Sequence, residues 1–512
     1  MRIVVTGATG YVGGRVVPRL LEAGHEVRVA VRTPERIKEY PWGDRVEVVK
    51  ADLLDTDQVK AAVDGMDVLY YLVHAMGAGK DFEVQESLAA SIVAKAAADA
   101  GLSRIVYLGG LHPDTDELSP HLRSRAEVGR ILLESGVPTA ALQAGTVIGS
   151  GSASFEMIRH LTEVLPYMPA PKWVRNFIQP IAVRDVLHYL VEAANLPSKV
   201  NRTFDIGGPD VLRYGQMMNG YALEAGLKQR PIASLPVFTP WLASQWVNLV
   251  TPIPRALAVP IIASLQYDCV VRESDIDDYI PQPEGGLTGY RRSVSLALGK
   301  ERAGEVETSW QDSSVFGAPS DPLPSDPQWS GHTVFTDLRE KQTTASPAEL
   351  WRVIEGIGGD NGWYSFPLAW AARGWADKLV GGVGLRRGRR NATRLGIGEA
   401  LDWWRVEELD RGRFLRLRAE MRVPGPAWLE LTVTPDTDEN GADAPGSTYR
   451  QRAVFFPKGL GGRLYWFSIL PFHGVIFAGM ARRITLEAEK NTAAARAAQS
   501  ENEKNTTAAK TP

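Results

Sequence analysis

The chain has 512 residues, of which 44% are hydrophobic and 23% charged, and its formal net charge is −3. This length is too great for one compact core and predicts two or three domains. The near-neutral charge gives no whole-protein attraction to nucleic acid, and the single cysteine, Cys269, excludes a disulfide framework or a cysteine-rich zinc module. Residues 1–7 run directly into a strand and lack a signal-peptide pattern, so a cytoplasmic location is expected.

The first three hundred residues alternate short β-rich runs with helical patterns. The helical patterns include Asp57–Val63 and Ala89–Ala100. This alternation predicts an α/β fold with a doubly wound parallel sheet of the Rossmann type over residues 1–300, with a substrate lobe at about 150–180 and 205–290. The β-rich runs are Ile3–Thr6, Glu26–Val31, Val46–Val49, Val68–Val73, Ile105–Leu108 and Thr139–Gln143.

The pattern changes after Lys300. Four prolines within residues 319–327 indicate an extended linker, residues 301–332. From residue 333 the chain combines a capped helix start at Ser346-Pro347-Ala348-Glu349 with runs in which apolar and polar residues alternate, as in residues 415–422. Such alternation is typical of an antiparallel sheet with one solvated face. A second domain is therefore predicted over residues 333–490, and residues 491–512, which lack large apolar side chains, are expected to be disordered.

Two uncharged stretches have to be compared with membrane spans. The stretch from Pro231 to Pro254 contains five prolines, and that from Leu464 to Met480 is shorter than the ~20 residues a span needs. A buried or interfacial segment is favoured for each. Peripheral contact with a membrane stays open as a partner.

A glycine-rich loop, Thr6-Gly7-Ala8-Thr9-Gly10-Tyr11-Val12-Gly13, follows the first strand and opens a helix. Gly7 permits a tight turn, Gly10 lets the backbone approach a pyrophosphate, and Gly13 lets the helix pack closely on the sheet. The free N–H groups at the helix start would hold the phosphate. The loop therefore predicts a dinucleotide site at Thr6, Gly7, Thr9, Gly10, Tyr11, Val12 and Gly13. The alternative is a tight turn that binds no ligand.

Residues after the second, third and fourth strands bear on the choice of cofactor. Arg32, with Arg36 close behind, stands where an acidic residue would bind the ribose of NAD, so NADP(H) is preferred over NAD(H). A solvated surface arginine is the alternative. Asp52 either reaches the adenine amino group or caps the next helix. Leu53, Val73 and His74 complete the expected cofactor-binding residues.

These residues resemble a known superfamily. Gly7–Gly14, Ala51-Asp52-Leu53 and Tyr107-Leu108-Gly109-Gly110 are similar to the atypical short-chain dehydrogenase/reductases, in the NmrA-like and epimerase-like branch that binds NAD(P)H. The resemblance covers roughly residues 1–300 and includes Ile181–Val186. Residues 333–490 resemble the domain of unknown function DUF2867, which implies a helix-grip (SRPBCC-like, Bet v 1/START-like) α+β fold with a lipid-sized cavity. The second resemblance is carried by residues 358–364, 384–390, 402–406, 419–421, 465–466 and 471–473.

The resemblance also shows which catalytic residues have changed. Active members use a serine after the fifth strand and a Tyr-x-x-x-Lys on the next helix. Here Gly109 or Gly110 stands at the serine, and His121 and Arg125 stand at the tyrosine and lysine. This implies that His121, with an ordinary pKa near 6.5, serves as a general acid and that Arg125 binds ribose hydroxyls. The standard carbonyl-reductase set is absent.

Three histidines, His74, His112 and His121, are expected to cluster at the carboxyl ends of the parallel strands. They would supply a proton donor for hydride transfer or the polar wall of a non-catalytic cofactor cleft, or they are ordinary surface histidines. A three-histidine zinc site is disfavoured because no carboxylate that would orient the histidines is evident, so no metal is expected.

The expected substrate contacts are Phe155, Met157 and Arg159, after the sixth strand. The apolar run at residues 236–241, with Trp246 beyond it, favours a quinone, a lipid or another hydrophobic ligand; a plain hydrophobic core is the alternative. The arginine run at residues 386–390, with Arg394, would bind a phosphate or lipid headgroup or else form a solvated strand edge.

The sequence thus predicts an oxidoreductase that transfers hydride from NADPH to a hydrophobic small molecule without the Ser/Tyr/Lys set. Two alternatives remain: a non-catalytic NADPH-binding sensor or assembly protein, and a carrier of a hydrophobic ligand in the second domain. The oligomeric state is not predicted.

Overall fold

The computed structural model describes residues 1–74, 82–115, 117–234, 250–304, 333–358, 362–364, 394–437 and 443–508, with residues 239, 242, 243, 245, 247 and 331. The chain divides into two compact units, Met1–Gly331 and His332–Pro512. Residues 305–330 of the predicted linker, with its four prolines, lie outside the described residues, as do most of the apolar run at 236–241 with Trp246 and the arginines at 386–390. The first residues of the predicted linker, 301–304, belong instead to a helix that begins at Tyr290.

A seven-stranded sheet forms the centre of the first unit, and every strand pairing in it is parallel. Its spatial order is β3-β2-β1-β4-β5-β6-β11, so the chain reverses direction across the sheet between β1 and β4. Buried Val, Ile, Leu and Tyr side chains fill most of these strands, as expected for a sheet covered on both faces. The predicted doubly wound α/β fold is confirmed. The strands are β1 (Arg2–Thr6), β2 (Glu26–Val31), β3 (Glu47–Lys50), β4 (Val68–Tyr71), β5 (Arg104–Gly110), β6 (Thr139–Ala144) and β11 (Arg202–Ile206).

Helices connect the strands of this sheet and pack on it. The first, α1, contains Pro18 and still continues to Glu22. Asp185 on α6 is buried and accepts hydrogen bonds from the backbone N–H of Thr288 (2.7 Å) and from its hydroxyl (3.1 Å). The helices are α1 (Tyr11–Glu22), α2 (Thr56–Val63), α3 (Phe82–Asp99), α4 (Pro120–Leu133) and α6 (Val183–Ala193).

A smaller lobe follows the central sheet and has its own apolar clusters. It is built from helices and very short strands around Phe155, Met217 and Tyr221. Its elements are β7 (Val147–Ile148), α5 (Ala153–Val164), β8 (Met168–Ala170), β9 (Phe177–Ile178), β10 (Ile181–Ala182), β12 (Leu212–Arg213), α7 (Tyr214–Glu224), β13 (Ile232–Ser234), α8 (Arg255–Ser264) and α9 (Tyr290–Gly304).

The second unit is an antiparallel sheet with helices, in the order β14-β19-β18-β17-β16-β15. Leu415 and Leu417 are fully buried, whereas Arg416 and Arg418 alternate with them and are less buried, which confirms the predicted period of two. The helix-grip arrangement itself stays a prediction. The elements are β14 (Phe335–Thr343), α10 (Pro347–Glu355), β15 (Ala400–Leu401), β16 (Trp404–Asp410), β17 (Phe414–Ala419), β18 (Ala427–Thr437), β19 (Asp443–Phe455) and α11 (Gly459–Ala508).

The predicted disordered tail is wrong for residues 491–508, because α11 continues through Ala508. Alanine has the highest helix propensity, and Thr492 is buried, with its hydroxyl accepting a hydrogen bond of 3.2 Å from the backbone N–H of Ser346. Tertiary contact and propensity therefore outweigh the lack of large apolar side chains.

The same helix changes the comparison with membrane spans. By length and composition, Gly459–Ala497 is one helix among the described residues that is long and apolar enough to cross a membrane. Only 22% of its most apolar window is buried, whereas the core helix of a soluble protein is mostly buried. The cytoplasmic location stays an expectation.

The alternating pattern predicts a position-dependent cost of truncation in the second sheet. Leu417→Ala removes a fully buried side chain and should lower the free energy of unfolding by about 2–5 kcal/mol. Leu338→Ala, at a position 52% exposed on β14, should change it by less than about 0.5 kcal/mol. Urea denaturation followed by tryptophan fluorescence measures both, and equal effects would contradict the assigned faces.

Candidate functional site

The turn after β1 brings two backbone segments unusually close. Gly7 has a φ of +77°, and a Cβ there would lie 2.6 Å from the carbonyl oxygen of Leu72, at the end of β4. A Cβ on Gly13 would lie 2.1 Å from the carbonyl oxygen of Gly7. Only glycine fits at these two positions, so α1 packs directly on the turn as the sequence predicted.

The start of α1 offers backbone donors to an anion. Gly10 occupies the N-cap and has no side chain with which to accept from the first turn. Its own N–H donates to the carbonyl of Gly7 at 2.9 Å, and its carbonyl accepts from Gly14 at 2.8 Å. The helix start lies at the carboxyl edge of the sheet, between β1 and β4, where dinucleotides bind in such sheets. These residues therefore fit a pyrophosphate.

The other predicted loop residues support this turn. Thr6 is buried and its hydroxyl donates to the carbonyl of Tyr70 at 3.0 Å. The carbonyl of Thr9 accepts from the hydroxyl of Tyr40 at 3.3 Å. The ring of Tyr11, next to Val12 at the helix start, lies under the guanidinium of Arg15 at 4.2 Å. Sequence analysis did not single out Arg15, which is 3% exposed.

The residues expected to select the cofactor lie at the ends of β2 and β3. Arg32 and Arg36 are exposed, and Leu53 is partly buried. Asp52 does not cap α2: one of its carboxylate oxygens accepts from the backbone N–H of Leu54 at 3.1 Å. Asp55 is the cap instead, accepting from Asp57 and Gln58, so the capping alternative for Asp52 is wrong. Asp52 is exposed beside the crevice.

Two of the three predicted histidines lie together beyond β4 and β5. The ring centroids of His74 and His121 are 4.7 Å apart. The Nδ1 atom of His74 lies 2.8 Å from Oε1 of Glu86, on α3, and the hydroxyl of Ser124 donates to the other oxygen of the same carboxylate. A carboxylate only accepts, so Nδ1 of His74 carries the hydrogen and Nε2 is an acceptor in the neutral ring. This Nε2 is buried and has no hydrogen-bond partner among the described residues.

The histidine pair is neutral near pH 7. The pKa of His121 is lowered to about 3, first by burial and then by the nearby His74 and Arg125. The pKa of His74 is also lowered, by burial and by Arg125, against the opposing effect of Glu86. The expectation that His121 has an ordinary pKa near 6.5 is therefore wrong, because burial and a fixed positive charge both disfavour the imidazolium.

The side chain of Arg125, on α4, binds β5 next to the position where active family members have the serine. Its guanidinium donates to the carbonyl of Leu108 and lies 5.7 Å from the ring centre of Tyr107. The hydroxyl of Tyr107 in turn donates to the carbonyl of Arg125 at 3.0 Å. A side chain at Gly110 would approach Arg125 at an ordinary 3.7 Å, whereas one at Gly109 would crowd Tyr107 at 3.2 Å. Gly110 is thus the position that would accept the serine.

The third predicted histidine, His112, forms its hydrogen bonds with other residues than the histidine pair. Its Nε2 lies 3.1 Å from the side-chain amide of Gln143 on β6, and its Nδ1 lies 3.0 Å from the carbonyl of Pro113. Gln143 also accepts from Arg272 at 3.0 Å, and Arg272 forms an ion pair of 2.8 Å with the buried Asp205. In the described part of the chain, no group of three or more His, Cys, Asp or Glu side chains could hold a metal ion.

An apolar cavity of about 70 Å³ lies inside the lobe. Met157 is part of its wall, together with Thr146, two residues beyond β6. Phe155 is buried against Tyr221, and Arg159 is fully buried with Glu156, 3.4 Å from it. Of the three expected substrate contacts, the structure therefore brings Met157 to the cavity and packs Phe155 and Arg159 in the interior of the lobe.

Reasoning from sequence missed Glu86 and Ser124. Glu86 lies on the alanine-rich face of α3 and is 8% exposed, and a carboxylate on a buried helix face was a signal that it has a partner. It is also the carboxylate next to histidine that the sequence reading took to be lacking.

Comparison with known proteins follows the same division of the chain. Residues 7–145 match the NAD(P)H-binding family, and residues 329–480 match the family described as a protein of unknown function, DUF2867. The chain therefore carries an NAD(P)H-binding domain followed by a DUF2867 domain.

Two curated relatives show different functions. A 3 beta-hydroxysteroid dehydrogenase/Delta 5-->4-isomerase of Mycobacterium tuberculosis is 30% identical over 192 residues, which cover 32% of this chain and 50% of that protein. The NADH dehydrogenase [ubiquinone] 1 alpha subcomplex subunit 9 of Arabidopsis thaliana is 24% identical over 266 residues, covering 50% of this chain and 62% of that protein. The chain thus spans only about half of the first relative's length.

Two solved structures match with similar scores. The triphenylmethane reductase of Citrobacter sp., complexed with NADP(H), has a TM-score of 0.47 and 19% identity, covering 58% of this chain and 100% of that chain. The NADPH-dependent quinone oxidoreductase QOR2 of Escherichia coli, complexed with NADPH, has a TM-score of 0.48 and 18% identity, covering 58% and 99%.

The lowered pKa of His121 predicts a loss of stability in acid. Below about pH 6.5 the unfolded chain protonates this histidine while the folded chain does not, so the free energy of unfolding should fall by up to about 1.4 kcal/mol per pH unit between about pH 6.5 and pH 5. His121→Gln should reduce that slope, and His188→Gln on α6 is the matched control. Urea denaturation across this range measures both, and an unchanged slope in His121→Gln would contradict the assignment.

Proposed function

We propose that the chain is an oxidoreductase that uses NADPH to reduce a hydrophobic small molecule. The observation that carries this proposal is the link between the histidine pair and the apolar cavity. Ser119, the N-cap of α4, has its hydroxyl 3.4 Å from that of Ser264, at the end of α8. His121 lies two residues after Ser119, and Ile261 and Ile262 of α8 line the cavity. The helix that carries the polar site thus packs against a wall of the apolar one.

The composition of the cavity favours a hydrophobic ligand. Its wall is almost entirely apolar and includes Met157, Met168 and Met218. Its volume, about 70 Å³, is below the roughly 300–1,000 Å³ of typical ligand sites, so a ligand must widen it. Methionine side chains are flexible and polarisable, and they accommodate such repacking better than branched side chains. A steroid dehydrogenase among the relatives supports the same substrate class.

The residues around the histidine pair suit reduction of a carbonyl or quinone oxygen. When bound, NADPH supplies the hydride, and negative charge then develops on the substrate oxygen. Arg125 carries a permanent positive charge beside the pair and would stabilise that charge. His121, neutral at pH 7, would donate an N–H hydrogen bond to the oxygen rather than act as an imidazolium acid, and the proton that completes the hydroxyl would come from water. Glu86 holds the tautomer and orientation of His74, as a hydrogen-bonded carboxylate does for catalytic histidines.

The non-catalytic reading has its own support. Neither histidine is charged near neutral pH, so the site lacks a strong acid, and one relative is named as a subunit of NADH dehydrogenase. In that reading the same crevice binds NADPH without consuming it. The bound cofactor then serves as a signal or stabilises an assembly. The two readings differ in whether bound cofactor is consumed.

Turnover separates these readings. Purified protein with NADPH and a panel of quinones, enones and steroid ketones should oxidise NADPH, followed by its absorbance. His121→Phe and Arg125→Gln should each lower kcat/KM by about a hundredfold, because each removes a group at the substrate oxygen. Arg123→Gln is the matched control, since this exposed α4 residue pairs with Glu83 at 2.9 Å.

The pH profile adds a second test of the mechanism. If the donor is a neutral imidazole, a plot of kcat/KM against pH should show no ionisation of the free enzyme near pH 6.5. Tight cofactor binding without oxidation of NADPH by any substrate of the panel would favour the sensor or assembly reading instead.

The preference for NADPH rests on Arg32. Calorimetric titration should give micromolar binding of NADPH, weakened about tenfold or more in Arg32→Ala, which corresponds to about 1.4 kcal/mol. Binding of NADH, which has no 2′-phosphate, should be unchanged in the same variant. Arg45→Ala, at the far end of the same connection, serves as the control. Equal losses for both nucleotides would mean that Arg32 does not read the 2′-phosphate.

A further inference from the structure

The first half of α11 leaves a band of large apolar side chains in solvent. Phe472 is 64% exposed, Leu464 62% and Phe467 58%. Positions four and seven residues apart share one side of a helix, so Leu460, Leu464, Phe467 and Val475 follow one another along that side. We call Leu460, Leu464, Phe467, Leu470, Phe472 and Val475 the exposed band.

The opposite side of this helix is held by its own sheet. The ring of Trp466 stacks on Phe335 of β14 at 5.4 Å and on Phe455 of β19 at 5.9 Å. Further along the helix, Phe477 and Met480 are buried in the core of the second unit. The helix is therefore a fixed part of this unit. Leu460, Leu464, Phe472 and Val475 lie on the side that its own sheet leaves uncovered. Phe467 and Leu470 lie at the border of the sheet: the ring of Phe467 meets that of Phe335 at 5.6 Å and stays 58% exposed.

The charged residues along this stretch of the sequence have one sign. Residues 444–486 contain no aspartate or glutamate, and residues 464–481 contain no charged residue at all. Lys458 stands exposed before the band, and Arg482 and Arg483 stand exposed after it. Arg482 is eighteen residues, or five helical turns, beyond Leu464, so it lies on the same side of the helix. An apolar band with cations at both ends is complementary to an anionic lipid surface.

Two other occupants fit these charges less well. In a second copy packed along the band, either helix direction brings cations opposite cations, with no carboxylate on this stretch to pair with them. A transmembrane position would strip the helix from its sheet and expose Arg463, which is 9% exposed and donates to the hydroxyl of Thr333 at 3.1 Å.

We propose that the exposed band of α11 docks the second unit on the surface of an anionic lipid bilayer. The apolar side chains enter the boundary between headgroups and acyl chains, and Arg482 and Arg483 lie at the level of the phosphates. The proposal is independent of the function proposed for the first unit.

Vesicle flotation of the full chain tests the proposal. The protein should float with phosphatidylcholine vesicles that contain phosphatidylglycerol, and less with phosphatidylcholine alone or in high salt. Leu464→Glu/Phe467→Glu should lower binding at least about tenfold, and Arg482→Ser/Arg483→Ser should lower it about tenfold on anionic vesicles only. Leu338→Glu is the matched control: the position is 52% exposed on β14, next in sequence to Asp337, whose carboxylate lies near His473 of the helix. Successive strand residues face opposite sides, so Leu338 points away from α11.

A labelled cysteine keeps the test valid if the charged variants fold poorly. Cys269, the only cysteine, is buried, and burial raises the pKa of its thiol to about 11, so an introduced exposed cysteine reacts first. A polarity-sensitive dye on Phe472→Cys should shift to the blue with anionic vesicles, whereas the same dye on Leu338→Cys should not.

Three results would overturn the proposal. The first is that wild type does not float with anionic vesicles. The second is that Leu464→Glu/Phe467→Glu, folded by circular dichroism, floats as well as wild type, or that the dye on Phe472→Cys does not respond. The third is that light scattering shows a dimer that this double variant dissociates, since a second copy would then occupy the band.

Discussion

The close approach of Gly13 to the carbonyl of Gly7 is the constraint on which the first unit depends. A single methyl group at Gly13 would lie 2.1 Å from that oxygen, so α1 would have to move away from the turn. The approach aims the helix start, and the partial positive charge of its N–H groups, into the crevice between β1 and β4. The same turn sets Gly7 against the backbone of Leu72, two residues before His74. One turn, through these two backbone contacts, therefore positions both the glycine-rich loop and the segment that leads to His74.

The charge of Arg125 acts on the histidine pair, His74 and His121. Burial lowers the pKa of both His74 and His121, and the charge of Arg125 lowers each further, so the imidazoles are neutral and able to donate or accept hydrogen bonds near pH 7. A tyrosine and lysine achieve a related result in standard reductases, because the lysine charge assists the tyrosine that gives the proton. In the proposed function the cation is permanent and the donor is a neutral ring. A permanent cation beside a neutral N–H donor suits products whose negative charge is delocalised. Such products need a nearby positive charge more than they need a strong acid.

Local patterns predicted the strands and the glycine turn well. The alternation of β-rich and helical runs and the positions of Gly7 and Gly13 are dictated by neighbours in sequence, and the structure has the expected strands within a few residues. The partner of His74 was not predictable in this way. Glu86 and Ser124 are separated by 38 positions and meet only after β4, α3 and α4 have packed together.

The protonation of His121 could not be predicted from sequence either. Its pKa follows from burial and from the position of Arg125 on the same helix, and neither is visible in residue type. The tail was misjudged for a related reason. Thr492 and Ser346 are far apart in the chain. Their contact stabilises a helix that composition alone did not predict.

Hydrophobic substrates and membrane docking have a common physical consequence. A lipophilic molecule in a cell partitions into bilayers, so its concentration near a membrane surface exceeds that in water. A chain whose second unit binds that surface keeps its first unit in the same thin layer, whatever the arrangement of the two units, because both belong to one polypeptide. A small apolar cavity that would have to open for the proposed hydrophobic ligand gains most from such enrichment, since the higher local concentration of ligand offsets the cost of opening. Docking would thus raise turnover without any contact between the band on α11 and the histidine pair.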